Sequence, residues 1–304
     1  MTTLSLAATT PPDIREATKH SSRSFWRIAW RRFRRNRIAL ASAIFLIAIC
    51  AVALFAPAIT PHNPNAVNIL MPHGKPSSDH LLGTDESGRD VFSRLLVGAR
   101  VSIAVGITSM IISITIGTLV GSLAGFSGRW IDALLMRITD GMMAIPYFFL
   151  VLIVVAVFGT SFRNIVLVIG VTSWIVVARI VRSEVLRYRN YEFVTAARAL
   201  GATNARQLFR HVLPHTLPSI IVAATLGVAN AILLESALSY LGLGIQPPQA
   251  SWGNMLSNSQ AYLFDNPLLP LYPGTLILVT VLAFNFLGDA LRDALDPQYK
   301  EGSH

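Results

Sequence analysis

Ionisable side chains inside otherwise apolar stretches have the greatest capacity for chemistry in this chain, and Glu235, within AILLESALSY, is the most isolated of them. A carboxylate at that depth is costly unless it meets water, a hydrogen-bond partner or the charge of a passing solute. Glu235 therefore either lines a path through the membrane and meets a solute amine, or is hydrogen-bonded within a helix bundle and holds a gate. Asp140, Asp289 and Asp293 lie toward the ends of their apolar runs. Arg137, Arg179 and Arg292 are candidate partners, in ion pairs that brace helix ends. His211 and His215 have the four-residue spacing of two ligands on one helix face, but Pro214 lies between them and no carboxylate follows as in HExxH. They read as loop histidines, and no metal site is expected. No histidine falls at mid-membrane depth to serve as base for a serine nucleophile. The only lysines are Lys19, Lys75 and Lys300, none in a GxxxxGK[ST] phosphate loop, so this chain is not expected to bind or hydrolyse ATP.

The elements that carry these residues are membrane spans. The chain is 53% hydrophobic and only 13% charged, with a mean hydropathy of +0.54, a composition outside the range of soluble domains. Runs of spanning length occur at 38–59, 101–126, 133–158, 164–181, 219–243 and 274–291, so the expectation is an all-α polytopic protein with six transmembrane helices. The first run is long enough to remain as an anchor rather than a cleaved signal. Cys50 lies alone in that run and reads as a small hydrophobe. Residues 1–24 carry Pro11-Pro12 and no periodicity, as expected of a flexible tail. Phe25–Arg37 holds six arginines among aromatics and reads as an interfacial helix on anionic lipid headgroups. A division follows: 1–37 tail and basic helix, 38–297 membrane domain, 298–304 tail.

The net charge of +9 reflects topology and not a nucleic-acid face. With the N-terminus cytoplasmic, twenty basic residues fall inside and five (Lys75, Arg89, Arg94, Arg100, Arg163) outside. Both termini and the 183–217 loop are then cytoplasmic, and 60–100 and 245–273 are external. These external segments are rich in Gly, Pro and polar residues and read as structured loops with short helices.

The 183–217 loop is more than a connector. Phe193, Val194, Ala196, Ala197 and Leu200 recur at helical spacing, Gly201 ends that helix, and Ala205, Leu208 and Phe209 mark a second one. Pro214 and Pro218 are expected to stop the second helix before the next span. Two short helices with an apolar ridge, ringed by Arg198, Arg206 and Arg210, form a knob suited to a partner's groove; the alternative is a helix pair lying on lipid. The second span carries Ser109, Ser113, Gly117, Gly121 and Gly125 at every fourth position, a stripe that lets another helix approach closely, within the chain or across a subunit interface.

The loop's Ala196-Ala197, Gly201 and Leu213-Pro214 resemble the coupling loop of bacterial ABC-type import permeases, of pattern EAA-x3-G-x9-I-x-LP. Thr195 stands where that pattern has Glu and His211 where it has Ile. Four further strings, at 81–103, 238–244, 246–256 and 282–297, are similar to the second ("C"-type) membrane subunit of the dipeptide, oligopeptide and nickel importers.

That resemblance implies a type I importer fold in the bacterial cytoplasmic membrane, a homologous second permease subunit completing the pathway, two ATPase subunits holding ATP and Mg, and an extracytoplasmic solute-binding protein. It assigns ATPase coupling to Glu192, Thr195, Ala196, Ala197, Gly201, His211, Leu213 and Pro214. With specificity supplied by a solute-binding protein, a bracing role for Glu235 comes ahead of cargo contact. Short peptides are the expected cargo, with nickel chelates, glutathione or oligosaccharides as alternatives. A secondary transporter or channel would call for inverted repeats, and none is apparent.

Overall fold

The computed structural model describes residues 21–295, which are predominantly helical. The expected tails up to residue 20 and from 298 onward lie outside the described residues. α1 (Ser21–Arg35) is basic and amphipathic. It does more than lie at an interface, because Ala29 and Phe33 are buried against Ala290, Ala294 and Leu295 near the end of the last helix. Asn36 caps α2 (Arg37–Ile59), its side chain accepting from the N–H groups of Ile38 and Ala39.

α3 (Val91–Ser127) begins ten residues before the expected span, because Asp90 supplies an N-cap, accepting from the Ser93 N–H at 2.7 Å. The expected single span at 133–158 is instead two helices, α4 (Arg129–Met143) and α5 (Tyr147–Phe158), bent by 82°. Pro146 accounts for the break: it has no N–H for the helix ladder and biases the residue before it away from helical backbone. α4 is instead tied to α6 (Phe162–Tyr188) by two ion pairs, Asp140 with Arg179 and Asp132 with Arg182, the latter bidentate with one contact at 2.7 Å. The Asp140–Arg179 pair matches the sequence reading; Asp132 was not singled out there.

α7 (Glu192–Ala199) follows, then one helical turn (Asn204–Arg206) and a π turn (Gln207–Val212) that runs straight into α8 (Leu213–Tyr240). Pro214 and Pro218 thus do not stop a helix. Pro214 follows directly on the π turn, which alters the hydrogen-bond ladder there, and Pro218 is accommodated inside α8. The 245–273 segment, expected to be external, contains α9 (Trp252–Ser259), and α10 (Leu268–Leu295) is the last of the described helices. Among the described residues, five helices are long and apolar enough to cross a membrane, and the bent α4–α5 pair brings the number to six if it counts as one span.

The small-residue stripe of α3 packs on α6 in the same chain. A Cβ on Gly117 would stand 2.6 Å from Val177 Cβ and 2.8 Å from the Trp174 carbonyl oxygen, and one on Gly125 would stand 2.9 Å from Val185 Cβ. On Gly121 it would collide with the carbonyl of Ala178. Ser109 Oγ donates to the Val166 carbonyl at 3.1 Å, and Ser113 is fully buried beside it. Backbones this close gain dispersion contacts that larger side chains would forfeit.

Candidate functional site

The loop between α6 and α8 is a compact knob. α7 ends at Gly201, whose φ of +83° is the left-handed conformation that glycine adopts without strain. Gly201 N–H donates to the Arg198 carbonyl at 3.0 Å and Ala202 N–H to the Ala197 carbonyl at 3.0 Å, closing the helix end. Gln207, buried at the start of the π turn, holds the two halves together. Its Nε2 donates to the Ala202 carbonyl at 2.7 Å, and its Oε1 accepts from Arg198 Nε at 3.3 Å. The sequence reading did not single out Gln207, since a polar residue in an arginine-rich loop reads as solvent-facing.

Inside the knob, Val194, Leu208 and Val212 are buried. Outside it, Leu200 is 89% exposed and Phe209 64% exposed. The apolar ridge expected from the periodicity therefore divides: part makes the knob's own core and part is presented outward. Glu192, Thr195 and Ala196 are exposed, Ala197, His211 and Leu213 are half-buried, and Pro214 is exposed. Thr195 Oγ1 lies 3.3 Å from the Tyr191 carbonyl, a bond within its own helix.

An aromatic cluster roots the knob on the spans. His215 stacks on Tyr188 with ring centroids 5.4 Å apart and meets Phe193 at 4.9 Å, and Tyr191 meets Tyr188 at 5.2 Å. Arg189, just past α6, donates to the Gly125 carbonyl at 2.7 Å and so caps the last turn of α3. The knob is thereby joined to the α3–α6 pair through packed rings and a charged hydrogen bond.

At the opposite end of α8, Glu235 is fully buried. Its Oε2 accepts from Ser102 Oγ of α3 at 3.0 Å and its Oε1 from Ser239 Oγ at 2.7 Å. Each serine in turn accepts a backbone N–H of the external segment: Trp252 N–H to Ser102 Oγ at 3.2 Å, and Ile245 N–H to Ser239 Oγ at 2.9 Å. Trp252 is itself buried, its indole N–H donating to the Leu95 carbonyl at 3.2 Å. One carboxylate thus fastens α3, α8 and the external segment together. Of the two readings of Glu235, this geometry supports bracing, with no open route to a solute at its oxygens. Ser239, four residues on in the same helix, has the spacing of a local partner, whereas Ser102 and Trp252 carry no pattern in the sequence because they meet Glu235 and its partners only through the fold.

The knob and the braced 245–273 segment stand at the two ends of α8, and comparison with known proteins finds relatives that span almost the whole chain. Residues 117–301 match the family described as binding-protein-dependent transport system inner membrane component, and residues 24–76 match the N-terminal TM domain of oligopeptide transport permease C. The chain is 41% identical to the dipeptide transport system permease protein DppC of Alkalihalophilus pseudofirmus over 282 residues, 93% of each chain. It is 40% identical to the oligopeptide permease OppC of Bacillus subtilis, covering 97% of this chain and 96% of that one. Identity to the glutathione transport permease GsiD of Pectobacterium atrosepticum is 40%, covering 96% of both. Among solved structures, the MetNI methionine ABC transporter in an inward-facing conformation superposes with a TM-score of 0.56 at 19% identity, over 68% of this chain and 96% of that one, which shows a shared fold. By sequence and by fold, the chain belongs to the binding-protein-dependent transport inner membrane components, among the C-type permeases of dipeptide and oligopeptide systems.

Proposed function

We propose that this subunit forms half of a translocation pathway for short peptides and is driven by a separate ATPase docked on the knob at 192–214. The observation that carries this reading is the knob itself. Leu200 and Phe209 are presented to solvent by a loop that spends a buried Gln207 and a left-handed Gly201 on holding its shape. An apolar tip with fixed geometry, edged by arginines, fits a groove on a protein partner better than a lipid surface, which asks for no such rigidity. The knob then lies on the cytoplasmic side with both termini, a topology that the arginine distribution favours.

In this reading ATP and Mg are held by two partner ATPase subunits, a homologous second permease completes the path, and an extracytoplasmic binding protein delivers cargo over the 60–100 and 245–273 segments. Movement of the ATPases shifts the knob, and the aromatic root at Tyr188 and His215 passes that shift to α6 and α8. Peptide cargo is favoured by the relatives named as dipeptide and oligopeptide permeases; glutathione, itself a tripeptide, is the second reading, favoured by the likeness to GsiD. The test is uptake by proteoliposomes containing the full complex and its binding protein. ATP-dependent accumulation of labelled di- or tripeptide supports the proposal, and accumulation that proceeds without ATPase subunits contradicts it.

A further inference from the structure

The segment between α2 and α3 gathers ligand-bearing side chains at one spot outside the spans. His62 lies just past Thr60, the C-cap of α2; Asp79 and His80 come from the middle of the segment; Asp90 is the N-cap of α3. The rings of His62 and His80 face one another with centroids 4.8 Å apart, and one ligand atom each from His62, His80 and Asp90 can be enclosed within 4.8 Å.

The hydrogen bonds sort these groups into roles. Asp90 Oδ2 is occupied by the Ser93 N–H, and its Oδ1 stands 2.9 Å from His80 Nδ1. With the proton of His80 held on Nδ1 by that carboxylate, the lone pair of Nε2 points away from Asp90 and is free to coordinate. Nε2 lies 3.8 Å from Asp79 Oδ2, while His62 Nε2 lies 3.7 Å from Asp79 Oδ1. Ligand atoms at the corners of a tetrahedral zinc site stand about 3.3 Å apart, as follows from metal–ligand bonds of about 2.0–2.1 Å. The two Asp79 contacts, one through each carboxylate oxygen, thus stand a few tenths of an ångström outside that spacing, and the two histidines face the same carboxylate. Asp79 is 78% exposed and can swing inward, whereas His80 is only 18% exposed and is already positioned.

We propose that His62, His80 and Asp79 bind one divalent transition-metal ion of the zinc class, with Asp90 orienting His80 and water in the fourth position. Two imidazoles and a single carboxylate suit zinc over magnesium or calcium, which take oxygen ligands. Binding shifts the His62 proton from Nε2, which in the absence of an ion donates to the Asp79 carbonyl at 2.8 Å, to Nδ1. The ion ties the end of the first span to the start of the second, where the His62 N–H already reaches Ser93 Oγ at 3.2 Å.

The test uses the full-length chain, purified in detergent and stripped with a chelator. Zinc is titrated against a competing fluorescent indicator, and cobalt(II) serves as the spectroscopic probe. The expected result is one zinc per chain, unaffected by excess magnesium or calcium, with four-coordinate cobalt absorption. Asp90→Asn is expected to weaken affinity about 10–100-fold. The His62→Ala/His80→Ala double variant is expected to lose both the stoichiometric zinc and the cobalt bands. Asp79→Asn changes an exposed side chain and leaves the fold intact, so its loss of affinity reads the site alone. Wild-type affinity in Asp79→Asn or in the double variant overturns the proposal, as does the lack of stoichiometric binding by the wild type.

Discussion

Ser102 on α3 donates to Glu235 on α8 at 3.0 Å, at a point where both side chains are fully buried. Because Ser102 also accepts the Trp252 N–H, this single contact joins two spans and the external segment. Glu235→Leu leaves the hydroxyls of Ser102 and Ser239 without acceptors in a dry site, at about 1–3 kcal/mol for each unsatisfied group. Glu235→Gln keeps one acceptor and the side chain's shape. The expected outcome is a lower unfolding temperature and altered uptake for Leu, with the Gln variant assembled and transporting. Loss of uptake by a well-folded Gln variant means that the charge itself is required, which contradicts the bracing reading.

Gly121→Leu should prevent α3 from seating on α6, because even a Cβ at that position meets the Ala178 carbonyl. The check is recovery of monodisperse protein after detergent extraction, which should fall well below wild type. A Leu variant that elutes and transports normally places the stripe elsewhere than in this interface.

The α3 stripe was legible because membrane helices meet through small residues, so a four-residue period of Ser and Gly predicts a contact before any partner is known. The knob's first helix was legible for a similar reason: Gly201 is the residue that a left-handed helix end calls for. The break at Pro146 was not, since proline inside a membrane helix is often accommodated, as Pro218 is here. What decides between the two is whether neighbouring groups re-satisfy the ladder, and α4 turns aside to pair Asp132 and Asp140 with α6. The partners of Glu235 were hidden for another reason: Ser102 is 133 residues away and belongs to no periodic pattern.

Gly201→Val forces a β-branched residue into φ of +83°, at a cost of about 1–3 kcal/mol in local strain. Nothing lies within 4 Å of the position a Cβ would take, so the effect is on backbone and not on packing. Insertion and expression should match wild type, while ATP turnover and uptake become uncoupled. Normal uptake per complex counts against a shape-dependent knob.

Gln207→Leu removes both the donor to Ala202 and the acceptor for Arg198 while filling similar volume. Exchange of the backbone amides in 198–208, followed by hydrogen–deuterium mass spectrometry, should accelerate about 10-fold or more, as a loss of 1.4 kcal/mol or more implies. Unchanged protection there means that the loop keeps its shape by other contacts.

The central claim is that the knob's outward apolar residues dock the ATPase, and the most direct measurement is subunit stoichiometry after affinity purification of a Leu200→Glu/Phe209→Glu variant. Both side chains are exposed, so the exchange spares the knob's own core. The account predicts that the second permease co-purifies at wild-type levels while the ATPase bound to this subunit is lost, halving the ATPase content of the complex; full ATPase content with wild-type turnover would contradict it.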